Sequence, residues 1–306
     1  MPAILIASRR PAEGRTTAAA GLGACLAEAG RPARLLRIRA IEGADAAAED
    51  DARALASVPG CDSPGRAVTE QEALTEASQG ALCVVEAPPG DPAGLASRLS
   101  ARVVLVSASE EVATGDLGDA LLGVVVTRLP ERRLEAVASA LRERGLTPLA
   151  VLPEDRQLAG PSIHEMAGAL HASRLFEGAD EDEAVEFVML GPISADPGQP
   201  YFLQHGRKAV INRFDKMDLH LAALATEPDC VILTGGQMPS PYFLDRLRGS
   251  DVAVTVLLSP DGTVRTAELL DELYTRTRCS GRRKLQRALE LFRGHLDLER
   301  ITSALS

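Results

Sequence analysis

The alternation of short β-branched apolar runs with longer amphipathic stretches narrows most strongly what this chain can fold into. Strands separated by helical stretches pair in parallel, because a parallel neighbour needs a crossover and an amphipathic helix supplies one. Ile4 to Ala7, Leu35 to Ile38, Leu82 to Glu86, Val103 to Val106, Leu122 to Thr127 and Leu149 to Leu152 read as strands. Thr16 to Ala29, Ala47 to Ala56, Pro92 to Leu99, Arg132 to Arg144 and Ser162 to Ser173 read as helices, the first closed by Gly30.

Glu177 to Glu183 (EGADEDE) carries acidic residues with no apolar period and reads as a solvated linker. A second series follows. Val185 to Leu190, Ala209 to Ile211, Cys230 to Leu233 and Val252 to Leu257 read as strands, with helices at Lys216 to Ala225, Pro241 to Leu247, Thr266 to Thr275 and Arg283 to Phe292. Asp215 is placed to cap the first of these helices. The expected organisation is two α/β domains, residues 1–178 and 184–306, the C-terminal helices falling in the second. A chain of 306 residues with 45% hydrophobic content can bury two such cores.

The formal charge of −10 repels nucleic-acid phosphate and anionic lipid, so neither is an expected partner. No apolar run approaches the ~20 residues of a membrane helix, and Met1 to Ile6 is too short for a signal sequence. Cys25, Cys61, Cys83, Cys230 and Cys279 are scattered without metal-ligand spacing, and neither they nor the histidines suggest a metal site. They fit small buried residues in a reducing cytoplasm.

The first strand runs into Ser8-Arg9-Arg10-Pro11-Ala12-Glu13-Gly14-Arg15-Thr16-Thr17 and then a helix, the location of a phosphate-binding loop. Such a loop uses glycines so that backbone N–H groups can wrap phosphates, a lysine for the β- and γ-oxygens, and a hydroxyl for Mg²⁺. Gly14 and Thr16 fit the second glycine and the hydroxyl, whereas Ser8 stands at the first glycine, Arg15 at the lysine, and Pro11 removes one N–H. The spacing resembles the long loop of dethiobiotin synthetase. Val85-Glu86-Ala87-Pro88-Pro89-Gly90 is similar to that family's Val-Glu-Gly-Ala-Gly-Gly segment, whose glutamate assists the metal. Gly123 to Arg128 resembles its later strand ending in a base-contacting Asn, here Thr127, and Arg39 stands where the synthetases carry another functional lysine.

The resemblance implies a P-loop NTPase-like first domain in which Gly14, Arg15, Thr16, Thr17 and Thr127 would touch ATP or ADP, with Thr16 and Glu86 at its Mg²⁺. The basic residues, however, are 30 Arg and 3 Lys, and none of the lysines precedes Lys208. No lysine of the first domain is therefore expected at the phosphates, and a wide, planar guanidinium does not replace a compact ammonium in a tight loop. The expectation is a loop without ATPase activity, either binding nucleotide without turnover or standing as a structural relic. Glu86 is read as a strand-end carboxylate in water, and Asp45, Glu49, Asp50 and Asp51 as a solvated helix face.

In the second half, Phe214-Asp215-Lys216-Met217-Asp218-Leu219 and Leu233-Thr234-Gly235-Gly236 resemble the signature of the DRTGG domain, with Lys216 for its arginine and Asp261 in a later segment. Read on its own, Thr234-Gly235-Gly236 either makes a tight strand-to-helix turn or lets a neighbouring chain or ligand approach the backbone. Together the resemblances look like the region preceding the catalytic domain of long phosphate acetyltransferases, a domain with no counterpart in this sequence. They imply a non-catalytic regulatory or adaptor protein; the alternative is an ATP-dependent ligase of the dethiobiotin synthetase or cobyrinic acid diamide synthase type. By the same resemblance the second domain is expected to form a homodimer, and Tyr201, Phe202, Tyr242 and Phe243 are read as aromatics that a partner copy would cover.

Overall fold

The computed structural model describes residues 3–40, 45–192, 201–249, 251, 253–274 and 276–305. In chain order the elements are β1 (Ile4–Ala7), α1 (Arg15–Glu28), β2 (Arg34–Arg37), α2 (Ala46–Ala56), α3 (Glu70–Ser78), β3 (Cys83–Glu86), α4 (Ala93–Leu99), β4 (Arg102–Ser107), β5 (Leu121–Leu129), α5 (Leu134–Glu143) and β6 (Pro148–Pro153). They continue as α6 (Arg156–Ala159), α7 (Ile163–Ala169), β7 (Ser173–Phe176), β8 (Phe187–Leu190), β9 (Lys208–Arg213), α8 (Met217–Leu224), β10 (Cys230–Thr234), α9 (Pro241–Arg248), β11 (Thr255–Leu258) and α10 (Thr263–Leu273), and close with α11 (Arg282–His295) and α12 (Leu298–Ala304). They form two compact units: Met1–Asp155 with Arg278–Ser306, and Arg156–Thr277.

The first unit is built on a six-stranded sheet in the order β2-β3-β1-β4-β5-β6. All its pairings are parallel, with Leu5 of the central β1 opposite Val85 on one side and Val103 on the other. Leu5, Val85, Leu105 and Val126 share a core with Ala73 of α3, Leu99 of α4 and Leu141 of α5. α1 packs against β1, β2, β3 and α11. Its small residues let α11 come close: a Cβ at Gly21 would lie 2.2 Å from the Phe292 ring. Phe292 is buried there, which stabilises the unit by about 2 kcal/mol.

α11 and α12 thus belong to the first unit, not to the second as their place in the sequence suggested. The Asp297 amide donates to the Leu149 carbonyl of β6 at 2.7 Å, and Arg293 pairs with Glu28 of α1 at 3.0 Å. The division also falls at Asp155–Arg156, not between 178 and 184. The acidic stretch is no linker: the Gly178 and Ala179 amides donate to Thr255 Oγ1 at 3.5 and 3.3 Å, and Glu181 pairs with Arg174 at 2.7 Å, all within the second unit. A run of carboxylates is equally suited to a solvated connection inside a domain, and here it joins β7 to β8.

The second unit holds a five-stranded sheet, β7-β11-β10-β9-β8, parallel except for β7. Alternate residues of its strands feed two cores. Ala209, Ile211 and Ile232 pack with Ile163, Met166 and Leu270 of α7 and α10, whereas Val210, Val231 and Leu233 pack with Ala223, Phe243 and Leu247 of α8 and α9. Phe202 and Phe243 are buried in the second of these cores and await no partner copy. Tyr201 packs against the same core, and Tyr242 remains 60% exposed. Among the described residues no helix is long and apolar enough to cross a membrane.

Candidate functional site

β1 delivers the chain into the loop before α1 as the sequence predicts, with Gly14 at φ +93°, a conformation that suits glycine. The loop is filled by its own side chains. Arg15, at the position of the missing lysine, turns its guanidinium onto Ser8 Oγ and onto the Arg10 carbonyl, the latter at 3.1 Å. Glu13 accepts the Arg10 amide at 3.2 Å. Thr127 donates to the Glu13 carbonyl at 3.2 Å and Arg128 to the Ala12 carbonyl at 2.6 Å. Thr127, expected near a base, thus props the loop from β5.

Behind the loop lies a buried charge cluster. Glu86, expected in water, is completely buried at the end of β3. Its Oε1 accepts the Thr16 hydroxyl at 3.0 Å and stands 3.3 Å from Arg37 Nε and 3.6 Å from Arg15 Nε. Arg37 ends β2 in direct register with Glu86 and also pairs with Asp51 of α2 at 3.2 Å. Arg39 lies beyond the end of β2, where its amide donates to the Val68 carbonyl at 3.0 Å. Burial raises the Glu86 carboxyl to about 7 against the opposing pull of Arg37 and Arg15, with the Asp51 charge adding to the rise. Burial likewise raises Asp51 and lowers Arg15.

The acidic helix face also proves structural in part. Asp45 caps α2 by accepting from the Ala48 amide at 3.1 Å, Glu49 accepts from the Ala67 amide at 3.1 Å, and Asp50 pairs with Arg278. Among the described residues no group of His, Cys, Asp or Glu is arranged to hold a metal ion. Thr16 and Glu86 do not fit the Mg²⁺ site that the dethiobiotin synthetase resemblance implies. The hydroxyl is committed to the carboxylate, and two guanidinium groups beside that carboxylate oppose a further cation.

The absence of lysine from the N-terminal half does not leave the first unit without one. Lys284 of α11 is fully buried and donates to the Arg278 carbonyl at 2.8 Å. Burial pushes the Cys279 thiol upward, and the charge of Lys284 draws it back. This lysine could be found only by knowing that α11 returns to α1.

In the second unit the signature residues converge at the carboxyl ends of β9 and β10. Gly235 and Gly236 have φ of +99° and +66°, and their amides donate to the Asp261 and Ser259 carbonyls at 2.7 and 3.0 Å. Thr234 Oγ1 meets Thr263 Oγ1 at 2.8 Å, and the Phe214 amide donates to the Thr234 carbonyl at 3.0 Å. Residues 165–273 match the DRTGG domain. The cap of α8 in this DRTGG domain is Lys216, without a side-chain bond, while Asp215 turns back to Arg213 at 3.1 Å rather than capping the helix.

The chain is 26% identical over 242 residues to a phosphate acetyltransferase of Nitratidesulfovibrio vulgaris, covering 70% of this chain. It spans about a third of that relative's length, 34%. Among solved structures, the CBS and DRTGG domains of the regulatory region of Clostridium perfringens pyrophosphatase, complexed with diadenosine tetraphosphate, align at 13% identity and a TM-score of 0.32 over 55% of this chain and 78% of that one. A nucleotide-binding protein from Archaeoglobus fulgidus in complex with ADP aligns at 15% identity and a TM-score of 0.35 over 50% and 82%.

Proposed function

We propose that this chain is a regulatory module that senses a phosphorylated small molecule of the ATP or ADP type at the N-terminus of α1 without hydrolysing it. The observation that carries this is the split between backbone and side chains in the loop. The 14-residue α1 follows Gly14 as its cap, with no side chain bonded to its first amides, which favours an anion beside Gly14, Arg15, Thr16 and Thr17. The side chains that turnover would need are engaged with one another instead: Arg15 with Ser8 and Arg10, and Thr16 with Glu86. An ATP-dependent ligase would have to break these contacts to bring a cation and a metal to the phosphates. The similarity to a phosphate acetyltransferase supports a regulatory companion to acyl-transfer chemistry, and the free thiols fit a reducing cytoplasm. The same proposal makes the module a homodimer through its DRTGG domain, for which the support is the exposure of Tyr242 and Met238, 60% and 58%, around the start of α9.

Calorimetric titration with ATP, ADP and acetyl-CoA, with and without Mg²⁺, tests the reading together with a phosphate-release assay. Binding of ATP or ADP that does not depend on Mg²⁺, without phosphate release, is expected. Arg15→Ala should bind no more weakly, since its guanidinium is turned onto Ser8 and Arg10. Mg²⁺-dependent turnover lost on Thr16→Ala, or no binding of either nucleotide, would refute it.

A further inference from the structure

The DRTGG domain contains a second group of polar atoms that neither the loop nor the signature turn accounts for. Asn212, near the end of β9, is 2% exposed, and neither its Oδ1 nor its Nδ2 has a hydrogen-bond partner. Buried side-chain amides are almost always paired, so an amide with both ends unsatisfied calls for a group that satisfies it. By strand alternation Asn212 shares the face of Val210, whose core includes Phe243. His220 lies on that face too, with its ring against Phe243 at 4.8 Å and its Nε2 2.9 Å from the carbonyl of Arg213, the residue after Asn212.

A carbonyl can only accept, so Nε2 carries the proton and the orphaned Nδ1 presents a lone pair. Burial holds the His220 pKa below its ordinary value, which favours this neutral ring. Gly191 leaves the room that this amide occupies: a Cβ at Gly191 would lie 1.9 Å from Asn212 Oδ1. The carboxyl ends of parallel strands are where α/β sheets receive ligands.

We propose that Asn212 and His220 form a recognition site for an aminopurine edge of the adenine type at the carboxyl end of β9. The unsatisfied set is two acceptors, Asn212 Oδ1 and His220 Nδ1, and one donor group, Asn212 Nδ2. An exocyclic amine beside a ring nitrogen matches it: the amine supplies two N–H donors and the ring nitrogen one acceptor. Asparagine pairs with adenine through the same adjacent donor and acceptor. Guanine and hypoxanthine present a carbonyl where adenine has the amine; the Asn212 amide can turn over to donate to it, but His220 Nδ1, its tautomer fixed by the Arg213 carbonyl, cannot, and there acceptor meets acceptor. The site is separate from the loop before α1 and does not rest on the function proposed for it.

Titration of the full chain with adenosine, which has no phosphate and so does not probe the α1 terminus, tests the proposal. Adenosine is expected to bind, and inosine to bind about tenfold or more weakly, because it exchanges the amine for a carbonyl. Asn212→Leu, of similar volume, should abolish the adenosine response while leaving inorganic phosphate binding unchanged. Should that variant fail to fold, the Asn212 side-chain amide resonances of the wild type give the same answer, since they should shift on adding adenosine. Absence of adenosine binding at millimolar concentration, equal affinity for inosine, an unaffected Asn212→Leu variant or unmoved amide resonances would each overturn it, and a buried water alone satisfying the amide would produce the first and last of these.

Discussion

Replacing Glu86 by glutamine isolates the energetic consequence of the buried cluster. A carboxyl that titrates near 7 in the folded chain and near 4.5 in the unfolded one holds its proton longer when folded. Between those values the native state binds more protons than the unfolded state, so stability is greatest at the acid side and falls as pH rises through 7. The interval corresponds to about 3 kcal/mol, of which about 2 kcal/mol disappears between about pH 5.5 and about pH 8. Asp51, also raised, adds in the same direction. Glu72, held down to about 2 chiefly by Arg66, titrates far below this window. His220 is lowered and works the opposite way, but it is present in both proteins and cancels. The assay is urea unfolding by far-UV circular dichroism at the two pH values, for wild type and Glu86→Gln. Any cost of the substitution that does not depend on pH cancels in the comparison of the two pH values. Wild type should lose about 2 kcal/mol more than the variant on going to the higher pH. Equal pH dependences, or a wild type that gains stability relative to the variant, would show that Glu86 is ionised across the whole window and that the reasoning from burial is wrong.

Two further outcomes follow from packing and exposure. Gly21→Leu forces a side chain into the space of the Phe292 ring, where even a Cβ would lie at 2.2 Å; overpacking of this kind costs about 1–3 kcal/mol or more, and an unchanged melting temperature would contradict the close packing of α1 on α11. For the proposed homodimer, Tyr242→Asp applies a charge twice across a two-fold interface, so sedimentation over a concentration series should show a dimer in wild type and a monomer in the variant; a wild-type monomer at tens of micromolar refutes the dimer.

The strands were legible because β-branched runs such as Val103 to Val106 and Cys230 to Leu233 are long enough to mark a strand without any tertiary knowledge. β7 was not, since its Ser-Arg-Leu-Phe is half exposed and offers no period. The nine-residue α3 escaped for a similar reason, because only Ala73 of its residues is buried. The loop was found from spacing, and its lack of a lysine directed attention to Arg15. What spacing could not show was where that guanidinium points or which charges lie beneath it. Glu86 was read as solvated because its partners Arg37 and Asp51 come from other elements. One signal was available: opposite charges close the neighbouring β2 and β3, and aligning the two strand ends sets Arg37 against Glu86. The misplacement of α11 has a comparable origin, since an amphipathic helix advertises an apolar face without naming the sheet it will cover.

The return of α11 to α1 has a consequence for how the protein is made. A ribosome delivers β1 to β6 first, yet the groove along α1 that receives Phe292 stays uncovered until the whole of Arg156–Thr277 has been synthesised. The DRTGG domain can complete its fold during that interval, whereas the first unit, with its six strands already made, still lacks the helix that covers α1. The nascent chain therefore carries an open apolar seam for the time needed to translate an entire second domain, and premature termination anywhere before residues 282–295 would release a chain with that seam permanently exposed.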